Sequence, residues 1–478
     1  MAWPWGACAA AGPLATLKGR LPEGLRRLVA ATDLPPPAIG LFVCPVDASR
    51  PVAALNEEQA FTLASTAKIV TALAALDLLG PSFRWRTHAF VTAPIEFGRT
   101  PGDLLIVGGG DPRLSTPELR ELLRRLYAQG LREVGGDIVI DRSAFLLSEH
   151  DHAGTPDPAP HRPHHVRPDA LTVDAGVLRV TVQPQRGRRA QLVADPPLPE
   201  LPLVDKTAGG GCHASLHWAE SRGQSQLWLE GSWSASCGPR VLNVVPPSHA
   251  DFMRQAIAGL WAEVGGLLRG RVRLGDLAAA QQGRTRLPVI GPQGDALIPL
   301  ATHLSPPLPE VVRDINKTSD NVGARHLLLS MARGFPAQAA TLARARDRVN
   351  EWLQGQGLPP GDIELDNGSG LSRAERGKPR AMVHLLMRAW RARDARSFID
   401  SLPVAGVDGT LAHRLQGGWA AGQAFLKTGS LLDTRALAGY VRGRTGRIYA
   451  LAVMVNHPQA GRTTATLDAI VEWLAAHG

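Results

Sequence analysis

Three short patterns in the chain combine residue types that can carry out acyl transfer without a histidine triad: Ser65-Thr66-Ala67-Lys68, Ser319-Asp320-Asn321 and Lys427-Thr428-Gly429. A serine hydroxyl attacks a carbonyl only once a base takes its proton, and a lysine within reach can be that base if it is held neutral. Ser65 and Lys68 are one helical turn apart, so a helix that begins at the serine puts both on one face. Burial beside further cations would weaken the amine's hold on a proton. The start of the same helix also offers backbone N–H groups to the oxyanion of a tetrahedral intermediate. Each pattern alone has a plainer explanation: a capping serine with a solvated lysine, a turn, and an edge-strand lysine. Lysine is scarce, however, with six in 478 residues, and two of the three patterns require one. The patterns are therefore read together.

The elements that must hold these residues are visible in the hydropathy. Leu21 to Leu34 reads as a short amphipathic helix, Ala38 to Val43 and Val52 to Leu55 as strands, and the apolar run Ile69 to Leu76 as a buried helix following Ser65. Leu104 to Val107 reads as a strand that enters Gly108-Gly109-Gly110-Asp111-Pro112, after which Ser115 and Glu118 form a capping box. The glycine loop has neither the G-x-G-x-x-G spacing nor a P-loop lysine, which argues against a nucleotide. Arg240 to Leu274 carries a strand, a helix from Ala250 to Glu263 and another strand. Leu308 to Arg333 reads as helical throughout. Leu437 to Arg442 and Ile448 to Asn456 are apolar strands joined by the turn Arg444-Thr445-Gly446, and Thr464 to Ala476 is a closing helix.

The length implies two or three domains, and 44% hydrophobic with 20% charged residues is the composition of a folded globular protein. The net charge of +9 comes almost wholly from dispersed arginines without interleaved aromatic residues, so no nucleic-acid partner is expected. His150, His152, His161, His164 and His165 fall in a proline-broken stretch that lacks the rigidity a metal site requires, so no metal is expected. Cys212 and Cys237 flank a strand-like stretch and are either bridged, in an oxidising compartment, or two buried thiols. Met1 to Ala15 is apolar and ends in small residues like a secretory signal, but lacks its positive start. No other run reaches the roughly 18 apolar residues of a membrane span, so no stable span is expected.

The three patterns in this order are those of penicillin-binding proteins and serine β-lactamases. Ser319 lies 254 residues after Ser65, more than one lobe would use, so a whole domain is expected between the first two patterns. From about Leu21 onward the chain resembles the D-alanyl-D-alanine carboxypeptidase/endopeptidase family, the penicillin-binding protein 4 type. Further stretches that carry the resemblance are Gly108 to Pro112, Gly136 to Phe145, Asp366-Asn367-Gly368-Ser369-Gly370-Leu371-Ser372-Arg373 and Leu402 to Leu411. The resemblance implies Ser65 as the acylated nucleophile and Lys68 as its base. It implies Ser319 as proton relay to the leaving amine, Lys427 tuning that relay, and Asn321 holding the substrate amide. The N–H groups of Ser65 and Ser430 would form the oxyanion hole, and Lys427, Thr428 and Ser430, with Gly429 between them, would receive the substrate carboxylate. Asp141 and Arg373 would line the stem-peptide side chain, and Cys212 and Cys237 are similar to the family's paired cysteines.

The expected fold is α/β: a β-lactamase/transpeptidase-like domain, an antiparallel sheet flanked by helices, with a large inserted region of one or two smaller domains. The expected segments are 1–19 (atypical or partial signal), 20–86 and 283–478 (transpeptidase-like domain) and 87–282 (insert). The expected reaction is hydrolysis of the terminal D-Ala-D-Ala bond of peptidoglycan stem peptides, and of D-Ala cross-links, through an acyl-serine in the periplasm. No cofactor is called for, and β-lactam antibiotics are expected covalent inhibitors. The rivals are a β-lactamase and an idle cell-wall-binding protein of the same fold. A class A β-lactamase uses a glutamate to activate water; here Glu351 follows the second pattern without an E-x-x-L-N context. Intact Ser65, Lys68, Ser319 and Lys427 oppose the idle reading.

Overall fold

The computed structural model describes residues 21–148, 151, 166–185, 189–221, 224–275 and 299–478. The five expected loop histidines and the N-terminal apolar segment lie outside these residues.

The segments around the three patterns build one antiparallel sheet in the order Ala53–Leu55, Ile39–Pro45, Ile448–Asn456, Thr434–Arg442, Ala424–Leu431. Its inner strands are buried on both faces, which explains their nearly continuous apolar sequence. The two faces differ in side-chain size. Ala436, Ala438, Ala450 and Ala452 turn toward the core that holds helices Ala67–Leu79 and Pro379–Arg391. Leu437, Val441, Leu451 and Val453 turn toward the terminal helix Thr464–His477 and helix Glu23–Ala30. The period-2 alternation thus sorts small residues to one face and branched residues to the other. The alanine face lets helices lie close to the strands.

The insert has its own core. A five-stranded sheet runs Val272–Gly275, Ile138–Asp141, Leu104–Val107, Arg86–Val91, Ala301–Leu304, with parallel and antiparallel pairs. Helix Thr116–Ala128 buries leucines against it, and helix His249–Glu263 buries Phe252, Met253, Ile257, Leu260 and Trp261. Ser115 and Glu118 make the expected capping box. Two three-stranded sheets are nested within this unit, one built from Gln191–Asp195, Leu178–Gln183 and Arg240–Val244, the other from Leu203–Asp205, Gln224–Trp233 and Cys212–Ser221. Cys212 and Cys237 are disulfide-bonded, with Cα atoms 5.5 Å apart, across the open end of the hairpin Cys212–Ser221/Gln224–Trp233.

Two expectations need revision. The expected boundary at 282–283 lies outside the described residues, yet strand Ala301–Leu304 still pairs with Arg86–Val91, so the chain leaves the inserted sheet only after residue 304. The expected single helix from Leu308 to Arg333 is two helices, Leu308–Thr318 and Asn321–Ser330. The break falls at Ser319, which adopts φ 59°, ψ 37°, and at Asp320, whose side chain caps the second helix. The break falls within the polar stretch Asn316 to Asn321, between two helices that each bury apolar residues. No helix among the described residues is long and apolar enough to cross a membrane.

Candidate active site

Ser65 sits in a 3-10 turn, Ala64–Thr66, that runs directly into helix Ala67–Leu79. In 3-10 geometry residues i and i+3 eclipse, and Lys68 Nζ lies 3.1 Å from Ser65 Oγ. Lys68 is fully buried, and its other contacts are acceptors only: Asn321 Oδ1 at 2.6 Å and the Ser369 carbonyl. A neutral amine has two N–H bonds and one lone pair. With both N–H groups committed to an amide and a carbonyl oxygen, the lone pair is left for the serine hydroxyl. Burial pushes the Lys68 pKa from 10.5 to about 8, and the charges of Asp320 and Glu375 oppose that drop.

Ser319 is half-buried at the helix break, and Lys427 Nζ donates to its Oγ at 2.9 Å and to the Thr428 carbonyl at 3.0 Å. Lys427 is entirely buried; burial, and then repulsion from Lys68, hold its pKa well below the usual lysine range. An arriving carboxylate would favour its charged form. Two contacts thus join all three sequence patterns: Lys68 with Asn321, and Ser319 with Lys427.

Lys427 to Ser430 form the outer half of an edge strand. Its first half is covered by the 403–404 segment, through Leu426 N–H to the Pro403 carbonyl and the bridge of Val404 to Phe425. Gly429 is required by a close approach: a Cβ there would meet the Leu63 carbonyl at 2.9 Å and Ala64 Cβ at 3.1 Å. The strand therefore lies against the turn that carries Ser65. Thr428 is half-buried with its hydroxyl 2.9 Å from that of Thr410, and Ser430 is exposed. An uncovered strand edge beside a nucleophile can take an extended peptide as an added strand.

Asp141 and Arg373 have hydrogen bonds of their own to residues other than those of the three patterns. Asp141 is buried at the end of strand Ile138–Asp141, where its carboxylate accepts the Ser143 N–H at 2.8 Å. Arg373 pairs with Asp433 in the turn after Ser430. Glu351, the weighed water-activating residue, is on the surface in ion pairs with Arg333 and Arg348.

Sequence reasoning missed three contributors. The Ser369 carbonyl is a backbone atom with no residue-type signal beyond the glycines on either side. Glu375 is a buried carboxylate that organises the loop holding Ser369. His326, one turn beyond Asn321, is fully buried; its Nε2 accepts the Asp169 N–H, which leaves Nδ1–H to donate to the Gly110 carbonyl at 3.0 Å. Burial pushes its pKa down to about 4. This neutral histidine ties the glycine loop of the insert to the helix that presents Asn321, which gives the loop a packing role.

The family model described as D-Ala-D-Ala carboxypeptidase 3 (S13) matches residues 21–477. A D-alanyl-D-alanine carboxypeptidase of Actinomadura sp. is 32% identical over 429 residues, covering 87% of this chain and 77% of the relative. The D-alanyl-D-alanine carboxypeptidase DacB of Haemophilus influenzae is 26% identical over 429 residues, covering 88% and 86%. The solved structure of penicillin binding protein 4 from Haemophilus influenzae has a similar fold, with TM-score 0.74 at 24% identity over 95% of this chain and 99% of that one.

Proposed function

The chain belongs to the D-Ala-D-Ala carboxypeptidase 3 (S13) family, a serine-type D,D-peptidase, and from that premise we propose a role for each residue of its site. Ser65 Oγ attacks the carbonyl carbon of the D-Ala-D-Ala bond in a peptidoglycan stem peptide while its proton passes to Lys68 Nζ. The N–H groups of Ser65 and Ser430 stabilise the oxyanion. Ser319 hands a proton to the departing D-Ala amine, with Lys427 replenishing it, and the acyl-Ser65 ester remains. Water then attacks the ester, releasing the shortened peptide as a carboxylate and restoring the Ser65 hydroxyl. Asn321, Thr428, Gly429 and Ser430 hold the extended substrate along the strand edge.

The observation that carries this reading is the lysine geometry: Lys68 Nζ is 3.1 Å from Ser65 Oγ with both of its N–H bonds otherwise engaged. The test is intact-mass spectrometry and peptide mapping after exposure to penicillin, whose strained amide mimics the scissile bond. One adduct on Ser65 is expected, none in Ser65→Ala, and acylation slowed about 10²–10⁴-fold in Lys68→Ala, the usual worth of general-base help. An adduct at another residue overturns the assignment, and rapid multiple turnover of penicillin points to a β-lactamase. Muropeptide analysis separates release of terminal D-Ala from cleavage of cross-links, both of which the same nucleophile can perform. We assign the enzyme to the periplasm, a reading supported by its cell-wall substrate and by the Cys212–Cys237 bridge, which persists in oxidising compartments.

A further inference from the structure

The loop from Asp366 to Glu375 turns back on itself around one side chain. Glu375 has no exposed surface. Its Oε1 accepts the N–H groups of Asp366, Asn367 and Gly368 at 3.2, 3.1 and 2.5 Å, and its Oε2 accepts that of Gly370 at 2.5 Å. Between Asp366 and Gly370, the one residue whose amide is not taken by Glu375 is Ser369, the residue whose carbonyl reaches Lys68. The same loop is held to the nucleophile helix by Thr71 Oγ1, which donates to the Gly368 carbonyl at 2.7 Å. Glu375 also reaches the other side of the site, because its backbone carbonyl accepts the Leu63 N–H at 3.0 Å, two residues before Ser65. Gly370, at φ 86°, packs directly on Ala64 and the Ser65 amide.

We propose that Glu375 is a positioning residue of this site: by gathering four backbone amides it aims the Ser369 carbonyl at Lys68, which turns the amine's lone pair to Ser65. The inference rests on the reading of Lys68 as the base. Four N–H donors face the two carboxylate oxygens, and each donation favours the ionised carboxylate over the acid. The donors favour the ionised form, and burial, which outweighs them, pushes the Glu375 pKa above the usual carboxylate value. That charge acts on Lys68 directly as well, favouring the ammonium. Glu375 thus has two separable effects: it orients the base, and it raises the pH at which the base becomes available.

Two variants separate these effects. Glu375→Asp keeps the charge but is too short to reach all four amides. Glu375→Gln keeps the length, loses the charge and sets an NH₂ group against one backbone N–H. The second-order rate of acylation by a fluorescent penicillin is measured from pH 5.5 to 9.5, with a thermal melt of each variant to establish folding. Glu375→Asp should lower the alkaline plateau by about 10-fold or more, since sub-ångström misplacement of reacting groups is costly, and leave the midpoint of the rise near that of the parent. Glu375→Gln should lower the plateau too and move the midpoint to lower pH. A folded Glu375→Gln protein with both plateau and midpoint unchanged overturns the proposal, as does a loss of plateau in proportion to the unfolded fraction alone. Lys68→Ala run alongside keeps the two readings apart: if it acylates normally the lysine reading fails, whereas if it is slow and both Glu375 variants are normal only this proposal fails. Should Glu375→Asp not fold, the midpoint and plateau of Glu375→Gln decide alone.

Discussion

Removing the charge of Asp320 while keeping its cap should make acylation more efficient at low pH. Asp320 caps helix Asn321–Ser330 by accepting the Val322 N–H at 3.0 Å, and asparagine caps a helix about as well as aspartate. Asp320→Asn therefore preserves the local fold but withdraws the foremost charge that favours the Lys68 ammonium. The other carboxylate acting on Lys68, Glu375, is unchanged. The leverage follows from the lysine itself. With a pKa of about 8, about a quarter of the enzyme carries a neutral Lys68 at pH 7.5, against roughly one molecule in a thousand at the ordinary lysine value. Burial thus multiplies the reactive fraction by about 240, on the order of the contribution expected from a general base. Because Lys68 must be deprotonated, the acylation rate rises with pH and levels off above the Lys68 pKa. Asp320→Asn should move that rise to lower pH, and a shift of about half a unit would roughly triple the rate at pH 6. The assay is the acylation rate with a fluorescent penicillin across pH 5.5 to 9.5, with circular dichroism to establish folding. A midpoint that stays put or moves to higher pH in a folded variant would refute the assignment of the rise to Lys68.

Three further outcomes are expected. Gly370→Ala places a methyl group against the Ala64 carbonyl and the Ser65 amide at a φ of 86°, so acylation should fall about 100-fold by displacement of the nucleophile, as read by the same fluorescent assay. Replacing Cys212 and Cys237 by serine should lower unfolding free energy by about 2–4 kcal/mol in urea titration, while acylation per folded molecule stays within about twofold, since the bridge lies in the outer insert; a large kinetic defect would tie that insert to catalysis. Glu351→Gln should leave the lifetime of the penicillin adduct unchanged by mass spectrometry, because Glu351 is a surface ion-pair residue; faster or slower deacylation would reopen the β-lactamase reading.

Strands and helices with a clean apolar period were legible because burial imposes that period: Leu437 to Arg442, Ile448 to Asn456 and the closing helix from Thr464 lie where hydropathy puts them. The capping box at Ser115 was legible because its two residue types satisfy each other locally. The break at Ser319 was legible only in part: the polar stretch Asn316 to Asn321 admits a turn, but nothing in it marks a left-handed serine. The Ser369 carbonyl is a backbone acceptor, and Glu375 reads as one more carboxylate in a polar loop until the chain folds it inward. Buried Asp111 and Asp141, by contrast, are turn-holding carboxylates whose motifs stand out in sequence.

The unusual features of the site share a physical origin. Two lysines are buried with lowered proton affinity, Ala64 before the nucleophile has φ 47°, Ser319 has φ 59°, and a carboxylate sits in the core. Each departs from what its residue type prefers, and left-handed non-glycine positions cost on the order of 1–3 kcal/mol apiece. Such departures persist only where the surroundings over-determine them. The double-faced sheet core, the Glu375 amide cluster and the His326 tie to the insert supply that constraint here. Residue types in a motif announce the chemistry, but burial that loosens the Lys68 proton and distant contacts that aim its amine are what make the motif reactive, and those contacts come from segments about 250 and 300 residues away along the chain.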